Sequence, residues 1–224
     1  MKIKRGNFMI KRFIFISFLC IGGCLSSLYA KTEKWDFENV VVGDLPKGWK
    51  ISATHPKKPL AKWEVVETLV APSGSKVLAL SKINAYYGGT FNLCYTDGVD
   101  FKNGEISVDF KARSGRIDQG GGIMWRVQDS NNYYVARFNP LEDNFRFYIV
   151  TNGVRKQLAS ADVKLAKGWH RMKILQNGAH FEGYLDGKKL LSCQDDQLNK
   201  SGGVGLWTKA DAATSFDDFT VEVK

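Results

Sequence analysis

The chain has 224 residues and a formal net charge of +9, but five of its 32 basic residues fall within the first thirty positions, where no acidic residue occurs. The remaining 27 basic and 23 acidic residues leave +4 on residues 31–224. This ordinary charge excludes the clustered basic surface that nucleic-acid binding requires. The 44% hydrophobic content excludes disorder, and the length suits one domain, which we predict to span residues 31–224.

Residues 1–30 have the pattern of an export signal. A basic stretch ending at Arg12 precedes an apolar run at 13–21, which is too short to cross a hydrocarbon core of about 30 Å. Cleavage after Ala30 would release a soluble chain, whereas cleavage before Cys24, at a sequence similar to a bacterial lipobox, would leave a lipid anchor. Both alternatives stay open, and both predict a periplasmic or extracellular protein with no transmembrane segment after processing.

From residue 34 onward the hydrophobic period is two, and turn signals recur every eight to twelve residues, which is typical of an all-β sandwich or barrel. The N-terminal part is irregular. It has an edge strand at 35–37, a turn at 45–49 into a second strand, and strands at 63–66 and 76–81. The clearest strand is 105–113, where Ile106, Val108 and Phe110 alternate with polar residues.

Strands at 122–128, 133–139 and 144–151 follow, and we expect them to continue one antiparallel sheet from 105–113. Residues 156–165 fit either a turn of helix or a loop with a short strand. The last predicted strands are 169–175, 179–185, 188–192, 203–208 and 215–223, with the hairpin signal Asn177-Gly178 between the first two. About twelve short strands fit a two-sheet jelly roll.

Cys94 and Cys193 are the only cysteines after the leader. They could pair as a disulfide in an oxidising compartment, or remain as two free thiols. With no Cys-x-x-Cys motif and only three histidines, the sequence supports neither a zinc site nor a redox motif.

Several short motifs occur in an order and spacing that resemble the concanavalin A-like, laminin G-like jelly-roll superfamily. They lie at residues 36–39, 45–49, 120–126, 129–138, 168–173, 183–188, 203–207 and 215–220. The similar branch of secreted bacterial proteins includes glycan-binding modules and 3-keto-disaccharide hydrolase-like domains. The resemblance implies a carbohydrate ligand, while the acidic Glu-x-Asp-x-x-Glu signature of laminarinase-type glycosidases is absent.

If Ile106 and its counterparts on the next strands face the core, the opposite sheet face carries Asp109 together with arginines and tyrosines. Guanidinium groups bind vicinal hydroxyls and aromatic rings stack on sugar C–H faces, so this face suits a glycan. The residues we predict to bind the substrate are Arg126, Arg137, Tyr133, Tyr148 and Trp207. The alternative is that cross-strand charge pairs merely decorate a solvated sheet face.

If the protein is an enzyme, the hypothesis is a glycoside hydrolase, with Asp109 or Glu142 as the acid/base catalyst. His170 and His180 are interpreted as structural or surface residues. No cofactor is expected to be required. A structural Ca²⁺ held by Asp36, Glu38, Asp217 and Asp218 is a further hypothesis, because the first and last strands are often neighbours in similar modules. A third class of function is an envelope domain that contacts another protein without binding sugar.

Overall fold

The computed structural model describes residues 1–2, 31–83 and 88–224. The expected export signal and Cys24 lie outside the described residues. Strands dominate the described part of the chain, which contains no α-helix. In that same part, no helical segment has the length and apolarity needed to cross a membrane.

The described residues form fifteen strands. In chain order they are β1 (Lys31–Trp35), β2 (Trp49–Thr54), β3 (Lys62–Glu67), β4 (Lys76–Lys82), β5 (Phe91–Phe101), β6 (Gly104–Ser114), β7 (Gly121–Asp129), β8 (Asn132–Asn139), β9 (Asn144–Thr151), β10 (Val154–Asp162), β11 (His170–Asn177), β12 (His180–Leu185), β13 (Lys188–Gln194), β14 (Gly202–Lys209) and β15 (Ala213–Val223).

The strands form two antiparallel sheets that pack into a sandwich. Sheet A has the order β13-β12-β11-β6-β15-β4-β3, with β1 also paired to β15, and sheet B has the order β10-β9-β8-β7-β14-β5-β2. The predicted all-β jelly roll is confirmed. The main core lies between the sheets, where β6 residues such as Val108 and Phe110 join Trp125 and Phe147 from sheet B in one buried cluster.

Sheet B has a second buried cluster on its outer face. This outer cluster consists of Phe91, Leu93, Tyr95, Met124, Val127, Tyr133, Val135, Tyr148, Val150 and Trp207. The strands that contribute to this cluster are therefore buried on both faces, unlike the strands of a sheet that has one face in water. Strand β5 was not predicted, although residues 91–96 alternate: Phe91, Leu93 and Tyr95 lie in the outer cluster, and Cys94 between them lies in the main core.

One prediction about strand neighbours needs correction, and one segment that the sequence left ambiguous is a strand. Strand β6 is not beside β7; it pairs with β11 and β15 in sheet A, while β7, β8 and β9 are neighbours in sheet B. The ambiguous segment 156–165 overlaps the edge strand β10, which pairs with β9. A register shift between Gln157 and Ala159 interrupts its alternation, and this obscured the period of two.

The two cysteines are free thiols in the structure. Cys94 lies on β5 in sheet B and is buried in the main core, and Cys193 lies on β13 in sheet A. Burial raises the pKa of both, to about 12 for Cys193.

Candidate functional site

The outer face of sheet B has an aromatic floor. The ring centres of Phe91 and Trp207 are 5.2 Å apart. Trp207 Nε1 donates a hydrogen bond of 3.2 Å to Tyr133 Oη, which also lies 2.8 Å from Thr54 Oγ1. The alternation of β14 puts Trp207 on the face opposite Val204 and Leu206, as expected from the sequence, and the side chain is buried there.

Arg137 lies in a row of residues that crosses four strands of this face. It is opposite Arg146 on β9 and Gly122 on β7, and Gly122 is in turn opposite Trp207 on β14. Arg137 is only 1% exposed, and its Nη1 donates a hydrogen bond of 3.1 Å to Asn144 Oδ1. A large aromatic ring and a buried cation thus lie in one cross-strand row.

Glu142 compensates the two arginines that face each other across the strands. Its Oε2 accepts hydrogen bonds from Arg146 Nη1 at 2.9 Å, from Asn144 Nδ2 at 3.0 Å and from Arg137 Nη1 at 3.4 Å. Partial burial alone would raise the pKa of Glu142, but the Asn144 hydrogen bond and the charges of Arg137 and Arg146 outweigh it and lower the pKa. Glu142 is therefore an ionised anchor for two arginines, and it is a poor general acid near neutral pH.

Arg155, on the edge strand β10, reaches over the same aromatic floor. Its guanidinium carbon is 4.3 Å from the ring centre of Tyr148, 5.1 Å from that of Phe91 and 5.9 Å from that of Trp207. Burial lowers its pKa, and the nearby Arg137 lowers it further. Within the described part of the chain, no hydrogen bond or ion pair engages its side chain.

The far side of this surface holds one further carboxylate. Asp118 is buried, and its Oδ2 is 2.9 Å from Lys209 Nζ. Its Oδ1 accepts a hydrogen bond of 3.0 Å from Asn139 Nδ2. The charge of Asp118 also acts on Arg155, whose pKa it raises. Asp118 is thus neutralised by Lys209 and is not a free base.

Two buried N–H groups on this surface lack partners: Nε of Arg137 and Nη1 of Arg155. Buried donors in folded proteins are nearly always hydrogen-bonded, and leaving one unmade costs about 1–3 kcal/mol. Both groups belong to guanidinium ions whose central carbons lie near one tyrosine ring, at 5.8 Å for Arg137 and 4.3 Å for Arg155. The arrangement can therefore bind an oxygen-rich ligand. We call Arg137, Arg146, Tyr148, Arg155 and Trp207, with Glu142 at the rim, the arginine face.

Of the residues predicted to bind substrate, the structure brings Arg137, Tyr133, Tyr148 and Trp207 to this surface, with Glu142 at its rim. Arg155 was overlooked because its segment was ambiguous. The pair Asn152-Gly153 between two β-rich runs is a strong hairpin signal, and it places Arg155 two residues after the turn. That signal could have revealed both β10 and its arginine.

Arg126 does not join the other arginines. It has a positive φ of 48° in an irregular part of β7, and Val127 beyond it belongs to the outer cluster although Trp125 before it faces the core. This bulge reverses the alternation that the sequence analysis extended through Arg126. Because Arg137 is opposite Gly122, Arg126 lies four residues farther along β7, about 13 Å away along the strand.

The side chain of Arg126 is used to hold backbone segments together. It is 1% exposed, and it donates to the carbonyl oxygens of Lys102 at 2.8 and 3.0 Å, Gly178 at 2.7 Å and Leu198 at 2.9 Å. A cleft of about 730 Å³ lies beside it. Its Nε and both terminal nitrogens already donate to carbonyl oxygens, so the geometry indicates a structural role for Arg126.

Asp109 is separated from the arginine face by the sandwich itself. It lies on β6 in sheet A, where its Oδ2 is 3.0 Å from Arg171 Nη1. The expectation that Asp109 shares a face with Arg126 and Arg137 is corrected by this topology. Asp109 and Glu142 therefore do not form a carboxylate pair in one cleft.

The four carboxylates considered for calcium have protein partners instead. Glu38 accepts from the backbone N–H groups of Ser75 and Lys76, and Asp217 Oδ2 accepts from Ser73 N at 3.0 Å. Two contacts complete the set: Asp36 accepts from Glu38 N at 3.2 Å, and Asp218 Oδ1 is 2.7 Å from Lys34 Nζ. Over residues 31–83 and 88–224, no group of three or more His, Cys, Asp or Glu could hold a metal ion.

The two histidines considered earlier lie in sheet A, away from the arginine face. His170 Nδ1 is 2.7 Å from Asp186 Oδ2 and its Nε2 is 2.8 Å from the carbonyl oxygen of Ala166. His180 Nε2 is 3.4 Å from Glu182 Oε1. Both therefore have local partners.

The fold resembles that of several solved carbohydrate-active proteins. Carbohydrate-binding module CBM66 from Bacillus subtilis is 18% identical, with a TM-score of 0.60 over 78% of this chain and 95% of the module. Domain 4 of AbnA, a GH43 extracellular arabinanase from Geobacillus stearothermophilus in complex with arabinotriose, is 10% identical, with a TM-score of 0.59 over 87% and 93%. The Bacillus licheniformis β-glucanase is 10% identical, with a TM-score of 0.54 over 86% and 98%.

No curated protein sequence matches the chain. A family model does match, over residues 37–222, which is most of the chain and nearly all of the part described by the structure. The match runs through both sheets and includes all six residues of the arginine face. The expected relationship to 3-keto-disaccharide hydrolase-like domains is confirmed by the family model, and the solved structures share the expected jelly-roll fold. The chain belongs to the family of 3-keto-alpha-glucoside-1,2-lyase-like domains, and its fold is a two-sheet jelly roll.

Proposed function

We propose that this protein binds a carbohydrate on the arginine face. The observation that carries the proposal is the pair of buried, unpartnered N–H groups on Arg137 and Arg155. Sugar hydroxyl and ring oxygens are acceptors that would complete these donors, and the planar guanidinium suits adjacent oxygens. Tyr148 and Trp207 are buried beneath the arginines, where their rings hold the Arg155 guanidinium in place.

The comparisons support a sugar-related role. The family is described by its relation to a 3-keto-glucoside, and the solved structures with similar folds include a carbohydrate-binding module and an arabinanase domain in complex with arabinotriose. Those ligands belong to those proteins, so the sugar bound here has to be identified by experiment.

Export is part of the same proposal. The basic and apolar pattern of residues 1–30 favours secretion of a mature domain spanning 31–224, either free after cleavage at Ala30 or anchored through Cys24. A periplasmic or extracellular location would bring the arginine face into contact with glycans. Mass spectrometry of the mature N-terminus distinguishes the free chain from the lipidated one.

A glycan array tests the binding function. Wild-type protein should bind a defined subset of glycans, and Arg155→Gln should lose at least about 90% of that signal, because hydrogen bonds to charged groups contribute about 1.5–3 kcal/mol. Arg171→Gln is a matched control, since Arg171 lies on sheet A with 46% of its side chain exposed. Equal binding by all three proteins would contradict the proposed site. Absence of binding by wild type would contradict sugar binding and favour a protein-interaction domain.

A second candidate function is lyase activity on a 3-keto-glucoside. The family membership favours it, and so does the guanidinium pair, because removal of the C2 proton beside a C3 ketone creates an enolate oxygen that N–H donors stabilise. The C1–O bond then breaks, and its electron pair leaves with the aglycone oxygen, which takes up a proton. Asp118 and Glu142 are both held by cations, so neither is a ready base. We therefore place binding first.

The enzymatic alternative has a direct test. A 3-keto-glucoside with a chromogenic aglycone is incubated with wild type, Arg137→Lys and the Arg171→Gln control. Release of the aglycone by wild type and the control, reduced at least tenfold in Arg137→Lys, would establish catalysis. No release by wild type above the uncatalysed rate would exclude this substrate class and leave binding as the function.

A further inference from the structure

The arginine face and its immediate surroundings carry an excess of positive charge. Four cations lie there, namely Arg137, Arg146, Arg155 and Lys209, and the carboxylates that act on them are Asp118, Glu142 and Asp162. Four cations and three carboxylates leave +1 on a surface where Arg137 is almost completely buried. Buried charges are ordinarily paired, because removing an ion from water is costly.

None of these carboxylates neutralises the groups that lack partners, and Asp162 acts on Arg146, which already pairs with Glu142. Glu142 binds Arg146 at 2.9 Å and is farther from Arg137, at 3.4 Å, while Asp118 binds Lys209 at 2.9 Å. Arg155 has no ion pair with any described residue, and the positive charge of Arg137 acts against its own. The unbalanced charge is therefore concentrated on Arg137 and Arg155, the residues whose buried N–H groups are unpartnered.

Contacts with aromatic rings compensate only part of the unbalanced charge and none of the missing hydrogen bonds. Arg155 is near three rings and Arg137 is near Tyr148, so each gains a cation–π contact. An aromatic ring accepts no conventional hydrogen bond in the guanidinium plane, however, so the in-plane N–H groups remain available. A neutral hydroxyl would satisfy the hydrogen bonds without balancing the charge, whereas a carboxylate would do both.

We propose that the carbohydrate bound on the arginine face is acidic, and that its uronate carboxylate lies between Arg137 and Arg155. This inference rests on the proposed sugar-binding function and names the class of its ligand. Because both guanidinium carbons lie close to Tyr148, they are within about 10 Å of each other, and one carboxylate can be attracted by both. The sugar ring of the uronate would then lie against the partly exposed Arg155, with Tyr148 and Trp207 buried beneath it.

The test compares matched glycans that differ only in their carboxylates. An array carrying uronate-containing, sulfated and neutral glycans is probed with wild-type protein, and the strongest uronate ligand is then converted to its neutral sugar by carboxyl reduction. Titration calorimetry with both forms should show at least tenfold tighter binding of the acidic form at low salt. Raising the salt from about 0.05 to 0.5 M should reduce that preference, because screening weakens exposed ion pairs.

Variants locate the preference on the arginine face. Arg155→Gln should bring the acidic-to-neutral affinity ratio down to about one. Lys156→Gln should leave this ratio unchanged. The substitution removes one positive charge from the same strand, but Lys156 is an exposed neighbour of Arg155. Acetate added at millimolar concentration should not displace the acidic glycan, since a free carboxylate lacks the contacts of the sugar.

Each outcome has one meaning. If wild type binds neutral glycans as tightly as their acidic forms, the inference is overturned while the sugar-binding function stands. Preference for sulfated over carboxylated glycans, or displacement by acetate alone, also overturns it, because the recognised group would then not be a uronate. If no glycan of any class binds, the proposed function fails together with this inference.

Discussion

The guanidinium carbon of Arg155 lies 4.3 Å from the centre of the Tyr148 ring, so the edge strand β10 contributes a cation to a platform that begins on β9. The same ring is 5.8 Å from the guanidinium carbon of Arg137 on β8. Tyr148 is thus the common neighbour of both arginines with unpartnered N–H groups. Its ring fixes where the two cations can lie.

Replacing the ring should separate its role from that of its hydroxyl. Tyr148→Leu should weaken glycan binding about five- to thirtyfold, because cation–π contacts contribute about 1–2 kcal/mol where water is excluded. Tyr148→Phe keeps the aromatic face and should stay within about threefold of wild type. Titration with the best array ligand measures both changes. A Leu variant that binds like wild type would rule out the platform role.

Removing Arg126 should affect stability and leave binding intact. Arg126→Met leaves three carbonyl oxygens without their donor, and we expect a loss of about 2–4 kcal/mol in the free energy of unfolding, measured in urea. The control Arg171→Met should lose about 0–1 kcal/mol, because its ion pair is at the surface. If folded Arg126→Met loses glycan binding without losing stability, Arg126 belongs to the binding site after all.

Asp217 should give stability a distinct pH dependence. Burial raises its pKa to about 6, although N–H groups of Ser73 and Asp218 oppose the shift. The folded state then holds a proton between about pH 4 and pH 6 that the unfolded state has lost, so this residue's contribution to stability falls as the pH rises through that window.

The difference between wild type and Asp217→Asn isolates this contribution. Thermal melting at several pH values should show wild type losing stability relative to Asp217→Asn from pH 4 to pH 6, with a constant difference above pH 7. A difference that does not vary with pH would show that Asp217 has an ordinary pKa. Comparing the two proteins removes the opposite trend from carboxylates with lowered pKa values, such as Glu182 at about 2.

Chelation should leave the protein's stability unchanged. The oxygens of Glu38 and Asp217 are occupied by backbone N–H groups, and Asp218 is paired with Lys34. We expect the same melting temperature with about 1 mM calcium and with excess EDTA, within about one degree. A fall of several degrees on chelation would restore the hypothesis of a structural calcium ion.

Local sequence patterns were sufficient to predict the fold class and much of the local geometry. The period of two marked most of the strands, and alternation placed Tyr133, Arg137, Tyr148 and Trp207 on the face opposite the main core. These features depend on residues one or two positions apart, which a strand presents to opposite sides whatever its neighbours are. The order and spacing of the motifs also indicated the family.

Which strands are neighbours, and where their alternation breaks, could not be predicted from local patterns and is seen only in the folded protein. Asp109 lies across the sandwich because β6 pairs with β11 and β15, and Arg126 is diverted by a bulge whose positive φ no simple pattern marks. Arg155 reaches the site because β10 closes the edge of sheet B. Pairing between strands is set by the packing of whole sheets, so the convergence of Arg137 and Arg155 on Tyr148 depends on contacts between distant parts of the chain.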